Sequence, residues 1–244
     1  MKNLKQILFV SFLTMSLVSV AQNKRVAVVT FYADKMVDVS ELGGLATLIK
    51  EVSDLRDDPN FNLTPTLEKF HGDFFNVYSK QLPFDLLSEQ EVTTNPKYIS
   101  FVPQFEATKY FERNYLVYPG YKYIYEGMLG KKNEEGIAKA LGDTVDGVLF
   151  VNLDFAFQRG FGFAGVSTLK VRATARMALY NKLGEKVFAF REGENSTETK
   201  MMVGGIPVIS AEEVLPMCNS AIGELMGDLQ KRITKIVKRS KMKL

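Results

Sequence analysis

Two neighbouring stretches alternate with a strict period of two, and this pattern constrains the fold more than any other feature of the chain. Leu149, Val151, Leu153, Phe155 and Phe157 fall on one side of DGVLFVNLDFAF. Leu169, Val171, Ala173, Ala175, Met177 and Leu179 fall on one side of STLKVRATARMALY, with Lys170, Arg172, Thr174 and Arg176 opposite. Side chains alternate across a strand, whereas a helix would scatter these residues round its circumference. Each stretch is therefore a strand with one face in a core. NKLG at Asn181 to Gly184 then turns the chain into a third strand, EKVFAFRE, and an antiparallel meander is expected.

The link between the first two strands, QRGFGFAGV, carries Gly160, Gly162 and Gly165 in the spacing of a dinucleotide fingerprint. That fingerprint needs a strand before the glycines and a helix after them, so that the helix N-terminus meets the pyrophosphate. A strand follows here, which excludes it. Arg159 to Ala164, with LFVNL upstream, also imitates the paired strand motifs of an RNA-recognition domain. Those strands must be separated by a helix and a strand to lie side by side and stack bases, and only Asp154 to Gln158 intervene. No nucleic-acid partner is expected. The three glycines are expected to shape a hairpin loop. Phe161 and Phe163 then sit at a turn, where polar residues are the norm, and require cover from the chain, a partner subunit or a membrane.

Upstream, KRVAVVTFYA reads as a buried strand, and TLEKFHGDFFNVYSKQL as an amphipathic helix stopped by Pro83. FDLLSEQEV gives a short strand and a helix start, with Ser88 and Glu91 as a capping box. KNEEGIAKALG is a short helix ending at Gly142. Ser210 and Glu213 form a second box ahead of a long terminal helix whose stripe is Cys218, Ala221, Ile222, Leu225, Leu229, Ile233, Ile236 and Val237. LGGLATLIKEVSDL permits one more short helix inside a segment, 33–65, that reads as an insertion; 98–130 reads as another. The expected fold class is α+β: one domain, a central mixed sheet, the C-terminal meander and packed helices.

Lys2 and Lys5 precede an apolar or small run, Ile7 to Val20, that ends in Ser19-Val20-Ala21. Its 14 residues are short of the ~20 that cross a bilayer as a helix, so residues 1–21 read as a signal peptide cleaved after Ala21. The chain is expected to be exported, periplasmic or extracellular. Position 22 is Gln and the only cysteine is Cys218, so neither a lipid anchor nor an intramolecular disulfide is expected. Without Lys2 and Lys5, 29 basic residues oppose 28 acidic ones. Seven of the basic residues lie in the tail KRITKIVKRSKMKL, so the formal positive balance is a tail property and no footprint of nucleic acid.

Catalytic signatures are sparse. The lone His71 cannot supply a histidine cluster for zinc, and no nucleophile elbow or H-E-x-x-H motif accompanies it. No cofactor is expected. Asn152 and Asp154 share the polar face of the meander with Lys170, Arg172 and Arg176, where cross-strand ion pairing is the default. Two surfaces for partners remain open besides Phe161 and Phe163. Tyr115, Tyr118, Tyr121, Tyr123 and Tyr125 either form a recognition surface or pack an insertion on the core. Lys231, Arg232, Lys235, Lys238 and Arg239 either complement the end of the terminal helix or adhere to anionic headgroups.

The order of elements, with the post-signal strand RVAVVTF, the strand LPFDLL feeding the acidic helix start SEQEV, and the hairpin ending NKLGEKVF, resembles the extracytoplasmic α/β domain shared by the CsgG, LpoB and TolB N-terminal type. The resemblance spans about two thirds of the chain after the signal. It implies a non-catalytic envelope protein acting by protein binding or assembly, with an envelope protein or a second copy as partner. The absent lipid-acceptor cysteine departs from the lipoproteins of that group. A soluble carrier of a small apolar ligand and a hydrolase using carboxylates are the competing classes.

Overall fold

The computed structural model describes residues 23–42, 55–104, 109–127, 131–207, 209–240 and 244. Residues 1–21, read as the signal, and nearly all of the helix expected over 42–55 lie outside them. Strand β1 (Arg25–Asp38) is central and parallel to both β2 (Asp85–Leu86) and β4 (Gly147–Phe163). It also pairs antiparallel with β3 (Tyr115–Val117). The expected meander follows: β4 pairs antiparallel with β5 (Val166–Asn181), and β5 with β6 (Lys186–Asn195). Gly184, at φ 80°, makes the second turn. One mixed sheet of an α+β domain results.

Two features extend the sheet beyond expectation. β1 continues five residues past Ala33, through a register slip between Ala33 and Val37, so 34–38 is strand. A further hairpin, β7 (Lys200–Val203) and β8 (Ile206–Pro207), pairs with the first residues of β5. β6 and β7 thus share one edge of β5 end to end. Ser196 fills the join: its N–H donates to Val171 O at 2.7 Å and its Oγ accepts from Val171 N at 3.1 Å.

The apolar face of the meander lies where its period put it. Leu149 to Phe157 and Leu169 to Leu179 face α6 (Ala211–Ser240), whose Cys218, Ala221, Ile222, Leu225 and Leu229 are fully buried. At the α6 start, Glu213 Oε2 accepts the Ser210 N–H at 2.9 Å. Helix α1 (Thr64–Asp73) closes the same face but does not run on regularly to Leu82. It widens into a π-turn over Phe74–Tyr78, which lets the adjacent Phe74 and Phe75 both reach the Phe31 ring, at 5.8 and 6.0 Å.

Among the described residues the opposite face is covered only at one end. There α2 (Glu89–Thr93), α3 (Pro96–Ser100) and α5 (Lys131–Leu141) pack Val92, Tyr98 and Ile137 on Ala27, Val29, Val148 and Phe150. The Ser88 and Glu91 box is present in both directions. A short α4 (Lys109–Asn114) precedes β3. Asp154, Arg172 and Arg176 are left on the uncovered part.

Candidate functional site

The glycine stretch between β4 and β5 is not the loop its composition suggested. β4 runs through Gly160 and Gly162 to Phe163, and the turn is only Ala164 and Gly165, at φ 51° and 83°. Two residues with positive φ match the twist of a hairpin. Gly160 and Gly162 serve the strand instead, where the register slips between Arg159 and Gly162. A Cβ at Gly160 would lie 2.2 Å from Thr168 Oγ1, and one at Gly162 2.5 Å from Ser167 Cβ. Glycine alone permits this approach, and Thr168 Oγ1 donates to Phe161 O across the gap at 3.2 Å.

A second turn of the same kind lies alongside. Gly204 and Gly205, at φ 60° and 84°, join β7 to β8, and the Gly204 N–H donates to Gly165 O at 2.9 Å. The tip of the sheet is therefore four strands wide. Register places Phe163 opposite Val166, Val166 opposite Val203 and Val203 opposite Ile206, so these four share one face as a continuous row. Met201, opposite Thr168, joins them from the next row. All are exposed, and Phe161 and Phe163, at 85% and 82%, are the most exposed large apolar side chains among the described residues. The described residues supply no cover for them. The other face of the tip is tied down: Ser167 and Met202 are buried, and Lys200 Nζ lies 2.6 Å from Glu213 Oε1 on α6.

The tyrosine segment turns mostly inward. Tyr121 and Tyr123 are buried, so they present no surface to a partner. Tyr123 stacks on Tyr115 at 4.6 Å and meets Tyr32 at 4.9 Å. Tyr118 stacks on His71 at 3.7 Å, and His71 Nε2 lies 2.7 Å from Glu89 Oε1. Those contacts give the lone histidine a packing role. Tyr115, Tyr118 and Tyr125 are half-buried. Residues 115–123 are thereby stitched to β1.

The basic tail lies at the other end of the molecule from the tip. Lys231, Arg232 and Lys238 are exposed, and Arg232 pairs with Glu192 and Asp228, at 2.7 Å each. Leu244 reaches Gly147, beside the end of β5, about 50 Å along the strand from Val166 at ~3.3 Å per residue. The side chains of Lys235 and Arg239 lie outside the described residues.

The uncovered sheet face holds the titratable groups. Asp154 pairs with Arg176 at 3.0 Å and with Arg191 at 3.3 Å, as the shared face required. Asp34 stands nearby on β1. Burial, with the Asp154 charge adding to it, pushes its carboxyl up to about 6, against the hydrogen bond from the Met36 N–H and the charges of Arg176 and Arg56. An open cavity of about 310 Å³ beside this group is lined by Phe150, Ala178 and Phe190 together with Arg176, Lys186 and Arg191. Its charged groups already have partners, since Lys186 holds Glu126 at 2.8 Å. Cys218 is fully buried, and desolvation raises its thiol far above the ordinary range. Among the described residues no cluster of His, Cys, Asp or Glu could hold a metal ion, and no helix is long and apolar enough to cross a membrane.

Sequence reading found Phe161 and Phe163 but missed Met201, Val203 and Ile206. The signal was present, because Gly204-Gly205 between MMV and IPV has the form of a hairpin. No protein-family model matches the chain, and a search of curated proteins returns no match.

Proposed function

We propose that this chain is a non-catalytic, exported component of the cell envelope that works by binding, with the four-strand tip as its contact surface. The observation that carries the proposal is the apolar row Phe163, Val166, Val203 and Ile206, flanked by Phe161 and Met201, which the described residues leave uncovered. Contiguous exposed apolar surface of this kind marks interaction sites. The backbone around it is held by two tight turns bonded to each other, and its reverse face packs on α6 through Lys200 and Glu213. Catalysis is less well supported, because Asp154 is held by two arginines and His71 is stacked and bonded within the fold. The Ile7 to Val20 segment and the resemblance to the CsgG, LpoB and TolB type support export and assembly work.

The test is the double substitution Phe161→Ser and Phe163→Ser. The expected result is a shift of the protein from the envelope fraction to the soluble fraction, or a lowered mass by light scattering, with the melting temperature preserved. Unchanged fractionation together with unchanged mass would refute the proposal.

A further inference from the structure

We infer that the tip docks on an anionic lipid surface; the inference rests on the reading of the tip as a contact surface. The argument is one of charge and depth. From Phe155 to Arg172 the chain contains no acidic residue, and it contains Arg159, Lys170 and Arg172. From Lys200 to Ala211 there is again none, although residues 22–230 as a whole carry 22 basic against 28 acidic side chains. An acid-free arm on an acidic body is complementary to an anionic surface.

The order of side chains along the exposed face matches the order of layers in a membrane. Phe163, Val166, Val203 and Ile206 form the outermost row, followed by Phe161, Thr168 and Met201, and then by Lys170 and Arg172 on the same face of β5. Interfacial apolar groups sink about 5–10 Å. Lys170 lies four residues behind Val166, about 13 Å along the strand, which brings its ammonium to headgroup level when the outer row is immersed. Neither Lys170 nor Arg172 has an ion-pair partner among the described residues; Arg172 Nε lies back against Gly193 on β6, so Lys170 is the cation nearer the tip.

A second copy fits less well. A two-fold contact through this face would bring two sets of Lys170 and Arg172 into one interface, where the neighbouring acid of the face, Asp154, is already held by Arg176 and Arg191. A protein groove would need acids of its own at the same depth, and it is an outcome of the experiment.

The chain has no tryptophan, so Phe161→Trp installs a single reporter. Large vesicles of phosphatidylglycerol and phosphatidylethanolamine are expected to shift its emission to the blue, and brominated acyl chains to quench it. Val102→Trp places the reporter at an exposed apolar position off the tip and is expected to show neither effect. In co-sedimentation, Phe161→Ser with Phe163→Ser is expected to weaken vesicle binding about 100-fold, the loss of two interfacial phenyl groups. Lys170→Glu with Arg172→Glu is expected to weaken it on these vesicles and not on phosphatidylcholine. All variants keep the same N-terminus, so the Ile7 to Val20 segment cancels in each comparison. Equal binding by the serine variant and the parent, or no shift for Phe161→Trp, overturns the inference. Should the serine pair change mass or fractionation while vesicles retain neither protein, lipid docking falls and the contact-surface reading stands. Should it change nothing at all, both fall.

Discussion

Replacing Asp34 with Asn should make the folded protein more stable at neutral pH and remove a pH dependence between about pH 4 and 6. Asp34 sits on β1 where the register slips, partly buried, with its carboxyl raised from 3.8 to about 6 by desolvation first and by Asp154 next. In that window the folded chain holds a proton that the unfolded chain has lost, so stability falls as pH rises and the full cost is present above the folded value. Two units at about 1.4 kcal/mol each set a ceiling of about 3 kcal/mol. Asp34 keeps some contact with solvent, and screening reduces the expected effect to about 1–2 kcal/mol. Asn retains the oxygen that accepts the Met36 N–H at 2.8 Å, so the local turn survives the exchange. The assay is urea unfolding of parent and variant at several values between about pH 4 and 7.5, followed by circular dichroism. The difference in unfolding free energy should be near zero at the acid end and grow in favour of the variant. A pH-independent difference, or a variant less stable at neutral pH, would refute the reasoning.

Phe31→Ala should cost about 3–5 kcal/mol in denaturant unfolding, because this fully buried ring touches Phe70, His71, Phe74, Phe75, Tyr118 and Tyr121 within 6.3 Å. Gly184→Ala should cost about 2–3 kcal/mol, since φ is 80° there and a Cβ would lie 2.7 Å from the Glu135 Cα on α5; a loss below about 0.5 kcal/mol would count against the tight turn. Tyr78→Phe should be neutral or stabilising by about 1 kcal/mol, because the buried Tyr78 hydroxyl has no hydrogen-bond partner among the described residues; a large loss of stability would reveal one.

How much of this was readable depends on whether a residue answers to its neighbours in sequence or in space. Leu149 to Leu179 answer to the alternation of a strand, and the meander, its NKLG turn and its buried face followed from that alone. Ser88 and Glu91 answer to each other three residues apart, so their box was legible too. Gly160 and Gly162 answer to Thr168 and Ser167 across the ladder, and a string of letters cannot show that a Cβ has no room. The choice of Tyr78 over Val77 for the core was likewise undecidable from spacing, because it depends on the π-turn that lets Phe74 and Phe75 converge on Phe31. At the tip, composition marked the two phenylalanines as needing cover. That no described residue covers them was known only once β7 and β8 stood beside β5.

The seam at Ser196 has a mechanical consequence. β5 is one continuous rail carrying two short partners in tandem, and the outer one is fastened by only four residue pairs, Val166 to Leu169 against Lys200 to Val203. A pull on β7 and β8 is resisted by those pairs and by Lys200 on Glu213, while the longer zipper of β5 with β6 bears none of the load. Ser196 acts as a bulkhead between the two compartments, so the tip can be strained or peeled back without the domain behind it coming undone.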